Sequence, residues 1–118
     1  METTDIKELF NKYYVPIVNL FGHINYTGCK QLAYACINYE PGIRYNEVLT
    51  KTAEQLNTTP SAVKRNISIY LDAVNKEVSI QEISTYLGYN FPSRIEKMTP
   101  FELIPVLKYS VDGILIAK

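Results

Sequence analysis

Four polar side chains recur between positions 61 and 68 at successive spacings of three, one and three residues. They are Ser61, Lys64, Arg65 and Ser68. On an α-helix these spacings place all four on neighbouring positions of one face. Arginine can hold a guanine through two hydrogen bonds, and lysine supplies a point charge for phosphate oxygens. The pattern therefore predicts a helix face that contacts nucleic acid, while an ordinary solvated face is the alternative.

The residues around this face predict two helices joined by a tight turn, at about residues 45–75. Ala53 is small where two helices must cross closely, and Asn57 tolerates the left-handed backbone that such a turn requires. Thr59 can cap the second helix, and Pro60 suits its first position, where a missing N–H costs nothing. The amides at the start of that helix can also hold a phosphate, so Thr59 joins the predicted DNA-contacting residues. In a helix-turn-helix, the N-terminal part of the second helix enters the DNA major groove.

The opposite side of the second helix is predicted to be buried. Its apolar residues recur at helical spacing and are Val63, Ile67, Tyr70, Leu71 and Val74. A helix with one apolar stripe packs that stripe against a core. The polar face at Arg65 is therefore predicted to point outwards.

The rest of the chain shows helical periodicity and no strand alternation. Further helices are predicted at about residues 4–21, 27–39, 79–87 and 99–113. Pro16 is expected to kink or split the first of them, Gly88 to end the third, and Gly113 to end the last and leave 114–116 as an apolar tail. The predicted fold is all-α, a five- to six-helix bundle with a central helix-turn-helix, in a single domain over residues 1–118.

The composition is that of an ordinary globular chain, with 47% hydrophobic residues and twelve acidic residues balancing twelve basic ones. Net charge therefore gives no sign of a nucleic-acid partner. Residues 44–76, however, hold five basic residues and three acidic ones, a local excess of two positive charges. Such an excess predicts a modest electrostatic contribution to DNA affinity.

Neither catalysis nor a metal site is predicted. His23 is the single histidine and has no Cys, Asp or Glu at ligand spacing. No nucleophile comes with a base, and no glycine-rich phosphate loop is present. Cys29 and Cys36 are seven residues apart on one predicted helix, too far apart for a disulfide, so both are expected to be reduced and buried. We expect no enzymatic activity, no cofactor and no small-molecule ligand.

No signal peptide and no apolar run of about 18 residues is found in the sequence. We therefore expect a cytoplasmic protein that has no membrane partner.

The chain also resembles a known family over about residues 22–111. The matching residues are Gly28, Leu32, Leu56, Asn57, Thr58, Thr59, Val63, Arg65, Ile67, Ile83, Leu87, Gly88, Tyr89, Lys97, Phe101, Glu102, Leu103 and Ile104. They are similar to the C-terminal DNA-binding effector domain of the sporulation response regulator, the master switch of endospore formation in Gram-positive bacteria. The resemblance implies an all-helical, DNA-binding transcription regulator. Thr58 and Thr59 match capping threonines, and Arg65 matches a DNA-contacting arginine.

The resemblance also implies how family members assemble. They bind as adjacent copies on DNA, so a weak homodimer formed partly through the last helix is expected. The family's regulators carry a phospho-accepting receiver domain ahead of this module. Met1 here opens directly into a predicted helix, so we expect a stand-alone homologue, with a trimmed chain as the alternative.

Several positions depart from the family pattern and keep a second function open. Ala62 and Ser68 stand where the family usually has arginines, Ile69 where it has a histidine, and Lys64 where it has a glutamate. The neutral net charge and the missing arginines favour an interaction module that kept the fold and pairs with a regulator protein through Ile69 and the apolar tail. The retained Arg65 and the gained Lys64 favour binding to double-stranded DNA.

Overall fold

The computed structural model describes residues 3–23, 25–87 and 99–117. Over these ranges the chain forms six α-helices and no strand, so the predicted all-α fold is confirmed. The helices are α1 (Thr3–Phe21), α2 (Thr27–Asn38), α3 (Tyr45–Leu56), α4 (Pro60–Glu77), α5 (Ile80–Leu87) and α6 (Pro100–Ala117). Helices α3 and α4, joined by residues 57–59, are the predicted helix-turn-helix.

Pro16 does not split α1, which is one continuous helix from Thr3 to Phe21. A proline inside a helix removes one hydrogen bond and costs about 3 kcal/mol. Tyr13, Ile17 and Phe21 are all buried on the inner side of α1. Burying each of these large side chains stabilises the helix by roughly 1.5–3 kcal/mol, which offsets the cost of the proline.

The prediction that Gly113 ends the last helix is wrong. Helix α6 continues to Ala117, so positions 114–116 are helical and do not form a separate tail. Glycine inside a helix costs only roughly 0.5–1 kcal/mol relative to alanine, which is too little to stop a helix whose following residues favour it. Gly88, the expected end of α5, lies outside the described residues.

Helix α2 lies at the centre of the bundle and packs against α1, α3, α4 and α6. Its buried residues include Gly28, Ala33 and Ala35, whose small size allows neighbouring helices to approach closely. Cys29 and Cys36 are also buried in α2, and both are free, as expected from their spacing. Burial raises the pKa of the Cys36 thiol to about 12.

The buried side of α4 is the one predicted from its periodicity. Val63, Ile67, Tyr70, Leu71 and Val74 are all buried. The Tyr70 hydroxyl donates a 3.0 Å hydrogen bond to the backbone carbonyl of Gly22, which satisfies its polar group inside the core. This bond ties the middle of α4 to the connector between α1 and α2.

Helix α6 is held to the rest of the bundle by polar contacts as well as by its apolar side. The Asp112 carboxylate accepts a 3.0 Å hydrogen bond from the Tyr13 hydroxyl and lies 2.9 Å from the Lys12 ammonium. The Lys108 ammonium donates a 2.6 Å hydrogen bond to the carbonyl of Tyr39, just after α2. Helix α6 is therefore anchored to both α1 and α2.

Candidate nucleic-acid interface

The turn between α3 and α4 has the backbone that its sequence predicts. Asn57 has φ 55° and ψ 48°, which is the left-handed conformation. The N–H of Thr58 donates a 3.0 Å hydrogen bond back to the carbonyl of Ala53. A left-handed residue directly after a helix satisfies terminal carbonyls in this way and turns the chain sharply.

The start of α4 is also as predicted. The Thr59 hydroxyl accepts a 3.2 Å hydrogen bond from the N–H of Ala62, and Pro60 occupies the first position of the helix. The first turn contains no acidic residue. The partial positive charge at this helix terminus is therefore not neutralised from within the first turn.

The five predicted contact residues lie together along the N-terminal half of α4. Thr59, Ser61, Lys64 and Arg65 are exposed, and Ser68 is half-buried. Ser61 and Ser68 are separated by about 10 Å along the helix axis, a short enough distance for one surface to include both. Neither basic side chain forms an ion pair with another residue in the part of the chain that the structure describes.

The orientation of α4 follows from its helical geometry. Successive residues are rotated by about 100°, so Lys64 and Asn66 lie on opposite flanks of Arg65. Arg65 itself points away from the buried side of the helix. Ile69 is 43% exposed and borders this polar face. Ala62 borders it too but is half-buried. The surface therefore combines basic, hydroxyl and apolar groups.

A groove of about 550 Å³ runs beside the turn. We call it the turn groove, and its lining residues are Phe10, Thr27, Lys30, Gln31, Tyr34, Leu56, Thr58 and Asn66. These residues come from α1, α2, α3, the turn and α4, and none of them is acidic. The sequence analysis missed this groove because no short spacing connects residues drawn from five segments.

A second contact that the sequence analysis missed lies near the C-terminal end of α4. The Nε2 atom of His23 is 3.0 Å from the Glu77 carboxylate, although the two residues are 54 positions apart. Because His23 lies between α1 and α2 and Glu77 lies at the end of α4, this pair links the α1–α2 connector to α4. Across the described residues, no group of three or more His, Cys, Asp and Glu side chains is arranged to hold a metal ion.

Among the helices that the structure describes, none combines the length and the apolar character needed to cross a membrane. Searches of protein-family models, curated proteins and solved structures found no match to this chain.

Proposed function

We propose that this chain is a sequence-specific DNA-binding transcription regulator of the sporulation-regulator effector type, acting in the cytoplasm. The observation that carries the proposal is the position of Lys64 and Arg65. Both are exposed on the N-terminal half of α4, directly after a capped turn. In a helix-turn-helix this is the part of the second helix that reaches base edges.

Each contact residue has a proposed role. Arg65 points away from the core and hydrogen bonds a base edge in the major groove. Lys64, on the flank of the same face, neutralises a phosphate, and Ser61 donates from its hydroxyl to the DNA. Thr59 orders the first turn of α4 so that the amides there can meet a phosphate. Ser68 is half-buried on the same face and contacts DNA only when α4 is fully inserted in the major groove.

The proposal includes a weak homodimer on adjacent DNA sites, formed partly through α6. Phe101 and Tyr109 on this helix are 43% and 54% exposed. Aromatic residues are enriched in protein interfaces, so these two support α6 as the contact. Neither catalysis nor a cofactor or small-molecule ligand forms part of this function.

Ile69 supports a second candidate function. Its 43% exposure, beside a face that lacks the family's arginines, suits an interaction module that pairs with a regulator protein. Under this alternative Ile69 contacts the partner protein, and DNA affinity is lost. Under the first proposal the same side chain touches a thymine methyl group.

A selection from a random-sequence duplex pool separates the two candidates. The purified protein is mixed with the pool at low and at physiological salt, and the retained DNA is sequenced. Enrichment of one motif, with binding that weakens steeply as salt rises, supports the DNA reader. A lack of retention even at low salt refutes it and favours the interaction module.

A further inference from the structure

We infer that the turn groove binds a backbone phosphate of the DNA strand that runs beside α4. The inference rests on the proposed function and extends it, because the site adds residues of α1 and α2 to the contacts made by the helix-turn-helix. Lys30, on α2, is the central residue of this site.

The chemistry of the groove suits an anion. The residues of the groove that carry polar side-chain groups can all donate hydrogen bonds, and they are Thr27, Lys30, Gln31, Tyr34, Thr58 and Asn66. No carboxylate lines the groove. Lys30 is exposed and forms no ion pair with any residue of the described ranges, so its charge is open to a ligand.

Gln31 is the most deeply buried polar residue that lines the groove. Its side chain lines the groove and is only 5% exposed, yet its buried Oε1 atom has no hydrogen-bond partner. An amide oxygen accepts hydrogen bonds, so this atom is not the one that would meet a phosphate oxygen. The amide nitrogen of the same side chain is not buried in this way and can donate to a phosphate oxygen in the groove.

The position of the groove matches the path of a DNA strand. When α4 lies in the major groove, one sugar-phosphate backbone runs along each side of it. Asn66 lines the turn groove and lies on the flank of Arg65 opposite to Lys64. Lys64 therefore faces one backbone while the turn groove faces the other. Helix α2 contains no acidic residue, and α4 contains none before Asp72.

The substitution Lys30→Gln tests the inference by removing the charge while leaving a polar side chain of similar length. DNA affinity is measured by fluorescence anisotropy at increasing salt, with duplexes recovered from the selection. Loss of one phosphate contact should make the negative slope of log K against log salt shallower by about 0.9. It should also weaken binding about fivefold at 0.15 M salt. The recovered motif should not change, because phosphate contacts carry no sequence information.

Lys76→Gln is the matched control. Lys76 is an exposed lysine in the last turn of α4, about 18 Å along the helix from Lys64, and its substitution should leave the salt slope unchanged. If Lys30→Gln also leaves the slope unchanged while DNA still binds, the turn groove does not hold a phosphate of the DNA backbone and the proposed function stands. If the unaltered protein binds no DNA at low salt, both the proposed function and this inference fail.

A second measurement distinguishes DNA phosphate from a free anion. Inorganic phosphate is titrated into the protein and followed by amide NMR shifts at Thr27, Lys30 and Thr58. We expect weak shifts that Lys30→Gln removes, together with the reduced DNA salt slope. Phosphate shifts that disappear in Lys30→Gln without any change in that slope would overturn the inference, since the groove would then hold a free anion.

Discussion

Gly28 of α2 lies directly against the backbone carbonyl of Asn66 in α4. A Cβ atom at Gly28 would overlap that carbonyl oxygen and would also lie 2.8 Å from the Cβ of Tyr70. The two helices therefore touch backbone to backbone at this point. Because Asn66 directly follows Arg65, this contact sets how far the candidate recognition helix stands out from the bundle.

Gly28→Ala is expected to destabilise the protein by roughly 1–3 kcal/mol, the usual cost of extra volume in a packed core. The sign of this change distinguishes a close helix contact from an open position, because glycine to alanine inside an unobstructed helix stabilises the protein by roughly 0.5–1 kcal/mol. Urea unfolding followed by circular dichroism measures the difference. Thr27→Ala, at the exposed preceding position, is the control and should change the free energy of unfolding much less. A Gly28→Ala protein as stable as the parent would show that the helices are not in backbone contact.

Thr59→Ala is expected to lower the free energy of unfolding by about 1 kcal/mol, because the N–H of Ala62 loses its hydrogen-bond acceptor. Thr59→Ser keeps a hydroxyl at the same place and should retain most of the stability. Thermal unfolding of the three proteins provides the comparison. Equal losses for the alanine and serine variants would contradict the role of Thr59 as a cap.

Arg65→Ala should reduce affinity for the selected duplex by more than tenfold, because a two-bond arginine–base contact is worth about 1–3 kcal/mol and the upper two thirds of that range exceed the roughly 1.4 kcal/mol of a tenfold change. It should also relax the preference for one base pair of the motif, which a second round of selection on the variant would reveal. Arg65 is exposed and forms no ion pair with any residue that the structure describes. The free energy of unfolding of the Arg65→Ala protein should therefore stay near that of the parent. Undiminished binding by a folded Arg65→Ala protein would rule out α4 as the recognition helix.

Alkaline pH is expected to destabilise the fold. Burial raises the pKa of the Cys36 thiol from its usual 9.0 to about 12. Between these values the unfolded chain has lost a proton that the folded chain keeps, so the free energy of unfolding falls as pH rises, by about 1.4 kcal/mol per pH unit for one such group. Burial of the Tyr45 hydroxyl raises its pKa to about 12 and acts in the same direction at higher pH.

Urea unfolding at a series of pH values between about 8 and 11 measures this dependence. Cys36→Ala should be less stable near neutral pH, because it leaves a small cavity, but should lose less stability as the pH rises. An identical pH dependence in both proteins would mean that Cys36 does not keep its proton in the folded state.

Features that depend only on neighbouring residues can be predicted from the amino-acid sequence. The left-handed turn at Asn57, the cap at Thr59 and the buried side of α4 were all predicted, and the structure confirms each of them. Such features arise from backbone preferences and side-chain hydrogen bonds that span only three or four residues. Their physical causes can therefore be found within a short stretch of sequence.

The placement of those helices depends on contacts that a local sequence pattern does not contain. The Gly28–Asn66 contact, the His23–Glu77 pair and the turn groove join residues that are distant in sequence. The continuation of α1 through Pro16 also depends on the tertiary structure. A local penalty of a few kcal/mol can be offset by burial of large side chains elsewhere on the same helix, and that burial depends on how the whole bundle packs.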